Sequence, residues 1–104
     1  MGVKKMYTMT IKKNDKKKNI KIKHNRAFNV KYLSPTDFSG SRVMIKDLRH
    51  NKRIIIGYDY SLNGIKEIAL SELIKQGIKV NSFSYNEKTG EYIFNTYDFK
   101  TQLK

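Results

Sequence analysis

The chain has 104 residues, enough for one domain with its own hydrophobic core, and it contains no cysteine, which excludes disulfides, thiolate metal sites and thiol nucleophiles. Its formal net charge is +13, from 22 Lys and Arg against 9 Asp and Glu. No stretch approaches the roughly 18 consecutive apolar residues of a membrane span, and the first residues lack the apolar run of a signal peptide, so a cytoplasmic protein without membrane contact is expected.

The charge is unevenly placed. Residues 1–31 hold ten lysines and Arg26 against Asp15 alone, a net +10, whereas residues 32–104 add +3. The excess of Lys over Arg, 18 to 4, is what an A+T-rich coding sequence produces, but such a bias gives no reason to crowd lysines into one third of the chain. A block this lopsided attracts polyanions through its summed field, although charge runs also serve as solvated surface.

In chain order, residues 3–13 alternate Tyr7, Met9 and Ile11 with Met6, Thr8 and Thr10, a period of two that predicts a strand. The polar stretch 14–19 reads as a loop. Ile20 and Ile22 then alternate with Lys21 and Lys23, predicting a second strand with an inward isoleucine face and an outward lysine face. Together these form a lysine-rich hairpin within residues 3–31. A short strand is expected around residues 28–33. Pro35 and Gly40 break the pattern after it, in a connection too short to mark a second domain.

Residues 42–48 and 53–60 predict another hairpin, and the run Ile54-Ile55-Ile56 suggests a strand in the interior of the sheet or covered on both faces. Asn63 is placed to cap a helix over 64–76 that shows Ile65, Ile68, Ala69, Leu70, Leu73 and Ile74 on one broad side and stops at Gly77. Residues 78–85 and 91–99 predict a third hairpin, with Gly90 suited to a positive φ in its loop. The expected fold is therefore α+β: a single domain over residues 1–104, whose lysine-rich hairpin precedes a body over 42–99. Its mainly antiparallel sheet has five to six strands in three hairpins, with one helix packed on one face.

No catalytic or metal-binding motif is present: there is no HExxH, P-loop, GxGxxG or GxSxG, and the chain is expected to be neither an enzyme nor a cofactor protein. Asp47, His50 and Asp59 are the residues a small hydrolase or nuclease would draw on, but their basic neighbours make cross-strand ion pairs the simpler reading. The leading expectation is a nucleic-acid-binding accessory protein. Lys12, Lys13, Lys16, Lys17, Lys18, Lys21, Lys23 and Arg26 would meet phosphates, and lysine, a point charge, favours sequence-tolerant backbone contact over bidentate reading of guanine.

Six aromatic residues crowd the last hairpin: Phe83, Tyr85, Tyr92, Phe94, Tyr97 and Phe99. Most are expected in the core, with Tyr97 and Phe99 as exposed stacking candidates. The alternative partner is an acidic protein surface or the nucleic-acid channel of a nucleoprotein enzyme, engaged by an inhibitor or adaptor of the virus or mobile-element type.

Overall fold

A computed structural model describes residues 5–13 and 16–104; within residues 5–24 the side chains it describes are Thr8, Thr10, Asn19, Ile22, Lys23 and His24. Strands β1 (Lys5–Lys13) and β2 (Lys16–His24) pair antiparallel as a two-stranded sheet of their own. Strands β3 (Arg26–Leu33), β4 (Arg42–Asp47) and β5 (Lys52–Gly57) precede the helix α1 (Ile65–Lys75), and β6 (Ser82–Asn86) and β7 (Glu91–Thr96) follow it. These five strands form an antiparallel sheet in the order β5-β4-β3-β7-β6. One helix on a small antiparallel sheet is the α+β arrangement that the periodicities predict.

Register explains where the core lies. Phe28 pairs with Asp47 on one side and Phe94 on the other, and Val30 pairs with Ile45 and Tyr92. Alternation then puts Phe28, Val30, Val43, Ile45 and Phe94 on one face of the sheet, all buried. Helix α1 connects one sheet edge, β5, to the other, β6, and lays Ile68, Ala69 and Leu73 on that face. Ile78 and Leu103 close the core at its rim, and each large apolar side chain buried there contributes roughly 1.5–3 kcal/mol.

The helix ends in a Schellman arrangement. Gly77, at φ 86, donates to the Ile74 carbonyl, and Ile78 N–H reaches back to Leu73 O at 2.9 Å. Gln76, the last helical cap, exchanges hydrogen bonds with the Lys104 backbone and so ties the end of the chain to the helix.

Four expectations need correction. The Ile54-Ile55-Ile56 run is an edge strand, not a covered one: Ile54 and Ile56 pair with Ile45 and Val43 on the helix side, while Ile55 points away and is 45% exposed. Asn63 does not cap α1. Gly64 occupies the N-cap at φ 134 without a side-chain bond, and the Glu67 carboxylate instead accepts the Asn63 N–H at 3.1 Å. Lys16, Lys17 and Lys18 belong to β2 rather than to a loop, and the turn residues Asn14 and Asp15 lie outside the described residues. Finally, Ile22 is not inward-facing; it is 43% exposed, because β1 and β2 form a separate sheet and do not extend the packed one.

The molecule is long for its size. Its radius of gyration is 16.9 Å, against about 13 Å for a compact chain of this length. The long axis of 60 Å has room for a body and a two-stranded arm, since a nine-residue strand extends about 30 Å.

Candidate nucleic-acid interface

The arm carries most of the residues singled out for phosphate contact. Its backbone register sets Lys12 opposite Lys17, Lys13 opposite Lys16, Ile11 opposite Lys18, and Thr8 opposite Lys21. The side chains of Lys12, Lys13, Lys16, Lys17, Lys18 and Lys21 lie outside the described residues. Lys23, opposite Met6, is exposed. Two like-charged pairs directly opposed on an antiparallel ladder repel one another and favour a counter-anion.

Arg26 is a different case and leaves the set of contact residues. It is buried at the start of β3, with Nη2 2.5 Å from Asp47 Oδ2, Nε donating to Oδ1 and Nη1 donating to the Asp98 carbonyl. Its guanidinium also lies 4.7 Å from the centre of the Phe28 ring. A cation consumed in this way has nothing left to offer a phosphate. Its position in a lysine-rich segment concealed this; its inward phase, shared with Phe28 and Val30, was the available signal.

Asp47 is the hub of that buried cluster. Besides Arg26 it accepts from the backbone of Arg49 and His50, and His50 Nδ1 stands 2.7 Å from Oδ2. Burial pushes the Asp47 carboxyl upward, but the bonds from Arg26 and His50 together outweigh it and hold the group below the usual carboxylate range. Asp59 is elsewhere, in the segment after β5, where the Ser61 hydroxyl and N–H lower its pKa. The three residues of the hydrolase reading therefore do not converge, and among the described residues no group of three or more His, Asp or Glu could hold a metal.

Tyr97 and Phe99 are both half-buried. The Phe99 ring sits 5.1 Å from His24 and 4.9 Å from the Arg49 guanidinium, flanked by side chains. The more exposed rings of the last hairpin are Phe83 and Tyr85, at 52% and 49%, because β6 is an edge strand that α1 leaves partly uncovered.

Reasoning from sequence missed a second cationic surface. On the face of the five-stranded sheet opposite α1, alternation displays Lys31 from β3, Arg42 and Lys46 from β4, and Arg53 from β5. Lys46 and Arg53 are direct cross-strand partners. None of the four forms an ion pair with a described acid, and the buried Arg42 Nε has no hydrogen-bond partner. Glu91 is the acid that faces them. A hydrogen bond from Asn29, one from Thr89 and the nearby Lys31 hold its carboxyl below the usual range, so it offsets one of the four charges. The signal was present in the strand periodicity, but it needed the register to bring four separate residues onto one face.

Among the described residues no helix is long and apolar enough to cross a membrane. Compared with protein-family models, with curated proteins and with solved structures, the chain matches none.

Proposed function

We propose that this is a nucleic-acid-binding accessory protein, without catalytic activity, that acts in the cytoplasm and grips the phosphate backbone independently of sequence. The observation that carries this reading is the direct opposition of like charges on two antiparallel ladders: Lys12 with Lys17 and Lys13 with Lys16 in the arm, and Lys46 with Arg53 on the open face. Such pairs cost stability in the free protein and are relieved by a polyanion that spans them. Lysine dominates the arm, which suits charge neutralisation rather than base reading.

The test is a salt titration of binding to two unrelated DNA duplexes, followed by fluorescence anisotropy. Five neutralised phosphates give a slope of log K against log salt of about −4.5, the same for both duplexes. Salt-independent binding, or strong preference for one sequence, refutes the reading. Salt-steep binding to an acidic protein with none to nucleic acid moves the assignment to an inhibitor or adaptor that docks its basic surfaces on such a partner.

A further inference from the structure

The two edges of the five-stranded sheet are protected unequally. The β5 edge carries Lys52 and Arg53 and ends at Gly57, devices that discourage another strand from pairing. The β6 edge, Ser82-Phe83-Ser84-Tyr85-Asn86, has no charge, no proline and no glycine, and all five residues are exposed. Beside it lies an apolar ledge. The Tyr92 ring is 4.6 Å from Tyr85 and 6.0 Å from Phe83, and the Lys66 ammonium sits 4.9 Å from the Phe83 ring centre. From Lys66 the helix stripe continues at four-residue spacing through Leu70 to Ile74, which is 62% exposed. Leu70 and Ile74, with Gly77, Ile78, Lys79 and Val80, line a groove of about 460 Å³.

An open strand edge with exposed rings on its helix side has the geometry of β-strand addition: main-chain hydrogen bonds supply affinity and alternate side chains of the added strand pack beside Phe83 and Tyr85. We propose that β6 is a docking edge for an extended segment of a partner protein, with apolar residues at alternate positions and acidic residues between them. Charge selects this occupant. The Lys66 ammonium over the Phe83 ring and Lys79 in the groove wall offer local cations to an acidic segment, while the net charge of +13 opposes a second copy of the same chain. This surface lies on the helix side of the sheet, away from Lys31, Arg42, Lys46 and Arg53, and does not depend on the nucleic-acid reading.

The probe is the heptapeptide Glu-Val-Asp-Val-Glu-Val-Asp, titrated into the full chain and followed by amide NMR shifts and by anisotropy. Two controls keep its charge: a scrambled version with its valines contiguous, and a version N-methylated throughout, which cannot join a sheet. The alternating peptide is expected to shift the amides of residues 82–86, and each control to bind about tenfold more weakly, or 1.4 kcal/mol. Phe83→Lys with Tyr85→Lys should abolish binding, and the surface variant Lys66→Glu should weaken it without disturbing the core. Lys16→Gln/Lys17→Gln/Lys18→Gln should leave it unchanged. Equal binding of the three peptides, no shift at residues 82–86, loss of binding in the triple lysine variant, or preferential occupation of the same amides by oligothymidylate each overturns the proposal.

Discussion

Asp47 holds together more of this molecule than any other polar residue described. It neutralises a buried arginine, orients His50 and caps the turn after β4 through two backbone N–H groups. Asp47→Ala strands the Arg26 guanidinium with only the Asp98 carbonyl, and is expected to cost about 3–5 kcal/mol in urea unfolding. Arg26→Met should cost less, because Asp47 keeps its bonds to the turn and to His50. The pH dependence has a definite sign. Asp47 titrates lower in the folded chain than in the unfolded one, so its stabilisation is complete above the unfolded carboxylate pKa of about 3.9 and is lost as pH falls below it toward the folded value. Urea midpoints measured through this acid range should fall for the native chain and be flatter for Asp47→Asn. The sequence places Asp47 near the end of a predicted strand and His50 three residues later in the following polar turn. It could not show that the third partner, Arg26, is 21 residues upstream and buried, because that contact exists only once β3 and β4 pair.

At the level of elements, α1 was legible because its apolar spacing, its glycine stop and its length agree. Only its N-terminal cap was misread, since the helix begins at Gly64 and borrows Glu67 to satisfy the preceding N–H. The stop is testable: Gly77→Ala forces a side chain into φ 86 and should cost about 1 kcal/mol, seen as a lower Tm with unchanged nucleic-acid affinity. The strands were located more reliably than they were ordered. The Ile54-Ile55-Ile56 run looks like a sheet centre, yet the centre is β3, whose apolar residues Phe28 and Val30 are fewer but are covered by α1 and paired on both sides. On the open face, Lys46→Glu replaces a like-charged cross-strand pair with an opposite-charged one. Chemical denaturation should show a gain of about 0.2–1 kcal/mol, while nucleic-acid affinity falls. A loss of stability together with unchanged binding would remove this face from the interface.

For the molecule as a whole, the question is whether the arm and the open face act on one polyanion. They belong to separate sheets, and sites that share no partners contribute additively. Replacing Lys16, Lys17 and Lys18 by Gln should flatten the salt slope on duplex DNA by about 2.7, and replacing Lys46 and Arg53 by Gln should flatten it by about 1.8. The five substitutions combined should give the sum. A combined change no larger than that of the arm alone assigns binding to the arm.

Composition and local periodicity by themselves determined the fold class, the helix, the hairpin pattern and the presence of a cationic N-terminal third, because these depend on neighbours within a few residues of one another. Tertiary structure alone decided that Arg26 is a buried structural cation, that Phe83 and Tyr85 are exposed on an unguarded edge, and that Lys31, Arg42, Lys46 and Arg53 share a face. Each of these follows from strand order and register. They are set by long-range pairing of β3 with β4 and β7 and by the single helix, which covers one face of the sheet and leaves the other to solvent.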